Sequence, residues 1–131
     1  MKTILVDAVH AFVVEDENGE FSIFKEMHDL LETFPNPKII LTGANDEQFE
    51  MFGLANMPYE VFTLKHDPEK TDPRYYEMLL DHYSFSPNDV VYFEHNLDAV
   101  KSAQSVGITT YFYDSEKQDL ELLKEFLTAN I

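Results

Sequence analysis

Thr3-Ile4-Leu5-Val6-Asp7-Ala8-Val9-His10 is an apolar, β-branched run that stops on a carboxylate. Four such residues in a row read as a strand buried on both faces, which is the habit of a parallel sheet covered by helices. In an open α/β sheet, ligands and reactive groups collect beyond the carboxyl ends of the strands. A strand over Thr3–Val6 therefore delivers Asp7 to the mouth of such a crevice.

Working outward, further short strands rich in β-branched or aromatic residues are expected at Lys38–Leu41, Glu60–Leu64, Val90–Phe93 and Thr109–Tyr113. Ala11–Val14 and Phe21–Phe24, separated by Asp16-Glu17-Asn18-Gly19-Glu20, read as a β-hairpin with a tight Asn-Gly turn. Amphipathic segments fill the gaps. Phe24, Met27, Leu31 and Phe34 share one face before Pro35-Asn36-Pro37. Asn45 with Gln48 forms a capping box ahead of Phe49 and Phe52. Asp72-Pro73 is a cap plus first-turn proline leading into Tyr75, Tyr76, Leu79, Leu80 and Tyr83. Asn96 caps a helix bearing Leu97, Val100 and Ala103, ended by Gly107, and Ser115 with Gln118 opens a last helix with Leu120, Leu123 and Leu127. This alternation predicts an α/β, three-layer, Rossmann-like sandwich: a parallel five-stranded sheet with a β-hairpin flap after the first strand.

The 131 residues suit one domain, spanning 1–131, and 44% are hydrophobic, including eleven Phe and seven Tyr, enough for a substantial core. The absence of Cys excludes disulfides, thiolate nucleophiles and Cys-zinc sites, and makes a cytoplasmic setting the expectation. No apolar run reaches membrane-spanning length, and no signal pattern opens the chain. Nine Lys and Arg against 25 Asp and Glu give a formal charge of −16. That field repels phosphate backbones and anionic lipid, so neither nucleic acid nor membrane is an expected partner.

With this topology four loops meet at one sheet edge, beginning at Asp7, at Thr42-Gly43-Ala44-Asn45, near Lys65 to Lys70, and at Glu94-His95-Asn96. A carboxylate, a hydroxyl with adjacent amides, a lysine and a second acidic cluster make a phosphate-handling set. Acidic groups from two loops suit Mg²⁺, which prefers oxygen ligands. His10 and His95 each read singly as a structural or surface histidine, with a mixed histidine–carboxylate site with Asp7 and Glu94 as the alternative; His28, His66 and His82 have no supporting motif.

The chain resembles the haloacid dehalogenase-like (HAD) superfamily over nearly its whole length. That family's first motif, a strand followed by Asp-x-Asp-Gly-Thr-Leu, is similar to Asp7-Ala8-Val9-His10-Ala11-Phe12. Its flap corresponds to the hairpin Ala11–Phe24, and its second motif to Ile39-Ile40-Leu41-Thr42-Gly43. The third resembles Lys70-Thr71-Asp72-Pro73-Arg74-Tyr75-Tyr76, and the fourth Val91-Tyr92-Phe93-Glu94-His95-Asn96. The resemblance implies a phosphatase-type hydrolase with Asp7 as nucleophile, Thr42, Gly43 and Lys70 on the phosphoryl oxygens, and a divalent ion held by Asp7, the Val9 carbonyl, Glu94 and His95. It also implies a small phosphorylated molecule or phosphoprotein as partner. Lys65 is the rival for the lysine role. The connections Asp7 to Thr42 and Thr42 to Lys70 are too short for a cap domain, so an open site is expected.

Two departures from the pattern bear on activity. Val9 stands where the family has its general acid/base Asp, and Val cannot shuttle a proton. His95 stands where the family has its principal metal carboxylate, so the Mg²⁺ expectation shifts toward Mn²⁺ or Zn²⁺, with Glu94 and Asp98 as compensating ligands. Low or altered activity follows. The alternative is a catalytically silent HAD-fold pseudoenzyme that binds a partner or phospho-ligand; a third reading is metal-free displacement at carbon.

Overall fold

The computed structural model describes residues 1–131. Five strands, β1 (Thr3–Asp7), β4 (Lys38–Thr42), β5 (Glu60–Thr63), β6 (Val90–Glu94) and β7 (Thr109–Phe112), form one sheet in the order β5-β4-β1-β6-β7. Every pairing within it is parallel. The short strands β2 (Val13–Glu15) and β3 (Phe21–Ile23) pair antiparallel as a separate hairpin directly after β1. Helices α1 (Lys25–Glu32), α2 (Asp46–Met51), α3 (Pro73–Tyr83), α4 (Leu97–Ser105) and α5 (Leu120–Asn130) complete the chain, with single 3₁₀ turns at Leu54–Asn56 and Pro87–Asp89. None is long and apolar enough to cross a membrane.

The period-2 alternation of β1 sorts the core into two layers. Ile4 and Val6 point to one face, where Met27 and Leu31 of α1 and Leu123 and Leu127 of α5 cover them. Leu5 points to the other, with Ile39, Leu41, Val90 and Tyr92, beneath Tyr75, Tyr76, Leu79 and Leu80 of α3 and Ala103 of α4. Asp7 continues the alternation on the Leu5 face, and Glu94 does the same on the Val90–Tyr92 face of β6. The sheet grows from β1 through β4 to β5 on one side, then returns to place β6 on the other side of β1. The gap between β1 and β6 is therefore the topological switch point, where an open sheet leaves its crevice. Val6 is in register with Phe93, so the next residues on each strand, Asp7 and Glu94, emerge side by side.

Three local expectations are corrected. The hairpin loop is not a two-residue Asn-Gly turn: Val13 pairs with Ile23 and Glu15 with Phe21, leaving Asp16–Glu20 as a five-residue loop. Asp16 Oδ1 accepts from the amides of Asn18 and Glu20, and Gly19 alone has positive φ (78°), whereas the expected turn needs both central residues there. The last helix starts at Leu120 instead of near Ser115. Asp114 takes the amides of Glu116 and Lys117, Gln118 sits at φ 48°, and Asp119 caps the helix through the Leu122 amide. Leu97 faces solvent at 50% exposure and is not core. The Asn45/Gln48 capping box, the Asp72–Pro73 start and the Asn96 cap all form as expected.

Candidate functional site

Asp7 and Glu94 end neighbouring strands, and each is only 1% exposed. Carboxylates at that depth need partners. Lys70, two residues before the cap of α3, supplies one: its Nζ lies 2.9 Å from Asp7 Oδ1 and 2.8 Å from Glu94 Oε1. The helix start at Asp72–Pro73 fixes where this lysine enters the crevice. His95 supplies the other partner. Its backbone amide donates to Asp7 Oδ2 at 3.0 Å, and its ring Nδ1 lies 2.5 Å from Asp7 Oδ2 and 3.3 Å from Glu94 Oε2. The Tyr92 hydroxyl donates to Glu94 Oε1, and the Asn96 amide donates to Glu94 Oε2 at 2.9 Å. Two carboxylates, one ammonium and one imidazole thus form a closed set.

The electrostatics follow from those contacts. The hydrogen bond that the His95 ring donates to Asp7, then that to Glu94, raise the imidazole to about 10 against the opposing effect of burial. Burial pulls the Lys70 ammonium down, but Asp7 and Glu94 outweigh it and hold the group well above its usual value. Burial would likewise raise Glu94, yet Lys70, His95 and Tyr92 together keep its carboxyl well below the ordinary carboxylate range. Tyr92, pushed far up by burial and by Glu94, remains a neutral donor.

Around this set lies an open cleft of about 220 Å³. Asp7, Val9, Thr42, Gly43, Lys70, Glu94 and His95 all line it, so these expected site residues are brought together there. The Thr42 hydroxyl accepts from the Ala44 amide at 3.1 Å, and its carbonyl accepts from the buried Tyr75 hydroxyl at 2.7 Å, which ties β4 to α3. Lys65 pairs instead with Asp46 at the surface, and Lys70 is the lysine that lines the cleft. Asp98 is exposed on the first turn of α4 and lies outside the cleft. His10, at φ 73°, packs edge-on against His95 with ring centroids 5.3 Å apart.

Among the residues that line the cleft, sequence reasoning missed Gln48, Phe52, His66, Glu69 and Ala99. His66 bridges Glu69 (3.0 Å) and Gln48 (2.5 Å), and its ring sits against Gly43, where an added Cβ would lie 3.4 Å from Nδ1. Phe52, expected only as core, ends α2 at the rim of the cleft.

No family model matches the sequence, and no curated protein matches it. Solved structures do. A HAD family enzyme from Bacteroides thetaiotaomicron, in complex with magnesium and inorganic phosphate, superposes with a TM-score of 0.72 at 13% identity, covering 93% of this chain and 98% of that one. The fold is that of the HAD-like superfamily. A haloacid dehalogenase-like protein of unknown function from Agrobacterium tumefaciens aligns at TM-score 0.62 and 16% identity, over 83% of this chain and 63% of that one. A dehalogenase solved with an intermediate aligns at TM-score 0.56 and 22% identity, over 70% of this chain and 44% of that one. Against the HAD pattern, the hairpin β2–β3 occupies the place of the flap.

Magnesium does not fit this chain's donor set as it is arranged. Asp7, Glu94 and His95 present ligand atoms within 4.8 Å of one another, but each carboxylate oxygen already accepts from Lys70, His95, Tyr92 or Asn96. Mg²⁺ requires near-octahedral oxygen coordination, and one of the three donors is a nitrogen.

Proposed function

We propose that this chain is a HAD-like hydrolase of the phosphatase type, with Asp7 as nucleophile and a rate limited by Val9. The observation that carries this reading is the position of Asp7: a buried carboxylate at the switch point, held by Lys70 and the His95 amide and facing a cleft that also contains Thr42. In the first step an Asp7 oxygen attacks phosphorus, an Asp–O–P bond forms, and the P–O bond to the leaving group breaks with its electron pair. Lys70 and the Thr42 hydroxyl bear on the phosphoryl oxygens, where negative charge concentrates. In the second step water attacks the same phosphorus, returning Asp7 and releasing inorganic phosphate.

Val9 lines the cleft where a carboxylate would serve both steps. Without it, the leaving group departs unprotonated and the attacking water is not deprotonated by residue 9. Each effect is worth on the order of 10²–10⁴ in rate. Esters with weakly basic leaving groups, such as aryl phosphates, are therefore the favoured substrates, and the aspartyl phosphate is long-lived. The open cleft admits bulky substrates and excludes water poorly.

One observation favours a second reading, a silent phospho-ligand or partner-binding protein: both Asp7 oxygens are already engaged by donors. Hydrolysis of an aryl phosphate by wild type and Asp7→Asn, in EDTA and with Mg²⁺, Mn²⁺, Co²⁺ or Zn²⁺, separates the two. Turnover lost in the variant supports the nucleophile; equal background under every condition leaves the binding protein.

A further inference from the structure

Lys70 and His95 fill the space between Asp7 and Glu94 that a shared cation would have to enter. The ammonium spans Asp7 Oδ1 and Glu94 Oε1 at 2.9 and 2.8 Å. On the opposite oxygens, His95 Nδ1 lies 2.5 Å from Asp7 Oδ2 and 3.3 Å from Glu94 Oε2. A nitrogen placed between two carboxylate oxygens must present a hydrogen to them, since a bare lone pair would face lone pairs. This holds for the neutral Nδ1–H tautomer as well as for the imidazolium. The nitrogen nearest the carboxylates is thus a donor and has no lone pair to give a metal.

The remaining contacts lock that arrangement. Tyr92 and the Asn96 amide complete Glu94, the His95 amide completes Asp7, and the His10 ring braces the His95 ring edge-on. A divalent ion bridging the carboxylates would have to expel the ammonium and remove the imidazole hydrogen from their midst.

We propose that this centre is metal-independent: Lys70 and His95, as fixed side chains, neutralise Asp7 and Glu94 in place of a divalent ion. The identity of the anion received beside them rests on the proposed phosphoryl chemistry, but the exclusion of the metal does not. With the Lys70 ammonium and the His95 N–H already bound to the two carboxylates, an incoming phosphoryl group meets a hydrogen-bonded set and the Thr42 hydroxyl, instead of two bare carboxylates.

The test is a titration of the intact protein with Mn²⁺ alone, read by the electron paramagnetic resonance signal of the free ion, with Mg²⁺ competition and isothermal titration calorimetry alongside. Wild type is expected to leave the free-ion signal undiminished and to give no saturable heat with Mg²⁺. His95→Asp, which replaces the Nδ1–H donor with an oxygen ligand, is expected to lose free signal up to one equivalent of Mn²⁺ and to release it on Mg²⁺ addition. His95→Asn, folded by circular dichroism, is expected to behave as wild type. Saturable one-to-one binding by wild type that disappears in Asp7→Asn would overturn the proposal, even if His95→Asp fails to fold. Phosphorylation of Asp7 only when a metal is present would overturn it too while sustaining the nucleophile assignment; absent metal binding with no phosphorylation would do the reverse.

Discussion

Replacing Lys70 with Met leaves the side-chain volume nearly unchanged and removes the one ammonium between two buried carboxylates. Asp7 and Glu94 then lie no more than 4.8 Å apart, and two like charges at that distance repel by at least about 3.5 kcal/mol at an effective dielectric constant of about 20. The variant can escape by binding a proton on one carboxylate. At pH 7 that costs about 3.7 kcal/mol, from an ordinary Glu value of about 4.3 and about 1.36 kcal/mol per pH unit. Both routes give a similar figure, within the range of about 3–5 kcal/mol for breaking a buried ion pair. His95 still faces both carboxylates and offsets part of the loss, leaving about 2–3 kcal/mol at pH 7. The pH dependence carries the sign. In wild type, Glu94 is depressed, so its stabilisation is present above about pH 4.3 and fades as pH falls. In Lys70→Met one carboxyl is raised instead, so the native state holds a proton the unfolded chain lacks and the variant gains relative stability as pH falls. Urea unfolding at pH 7, 6 and 5 should show the gap between the two proteins closing toward acid. A loss below about 1 kcal/mol at pH 7, or a gap that stays constant with pH, would refute this account of the site.

Val9→Asp should raise turnover of alkyl phosphates by on the order of 10²–10⁴, with a much smaller gain for aryl phosphates; parallel gains for both would contradict the role assigned to position 9. His95 has a folded value of about 10 against an ordinary 6.5, so its stabilisation is complete below about pH 6.5 and is lost as pH rises through about 10. Thermal melts from pH 6 to 10 should fall for wild type and stay flat for His95→Gln, and a protonated ring at pH 8 should be visible by NMR. Tyr92→Phe leaves the buried Glu94 one donor short and should cost about 1–3 kcal/mol in chemical denaturation; no loss would mean that the hydroxyl is dispensable to the set.

The sheet was legible in the sequence because its strands are buried on both faces and so appear as continuous apolar runs. Asp7, Thr42 and Glu94 were legible as polar residues closing such runs, and Lys70 through the helix-start signal that follows it. What the sequence left open depended on side chains competing for backbone. Asp16 and Asp114 each capture amides that local patterning had assigned to a tight turn or an earlier helix start. His66, Gln48 and Glu69 reach the cleft from loop and helix-start positions that follow no period; only their nearness in sequence to Lys70 and Asn45 could have drawn attention to them. The resemblance puts His95 among the metal ligands; in the structure its ring Nδ1 faces oxygens of both Asp7 and Glu94. That geometry depends on Asp7, 88 residues away, and no local pattern encodes it.

If Asp7 attacks phosphorus as proposed, the acyl phosphate formed beside Val9 should persist. Intact-mass analysis of the protein quenched in acid after incubation with an aryl phosphate, followed by peptide mapping, tests this directly. One phosphoryl group on the peptide containing Asp7, absent from Asp7→Asn, is the predicted result. An unmodified protein under every condition, or a phosphoryl group equally present in Asp7→Asn, would contradict it.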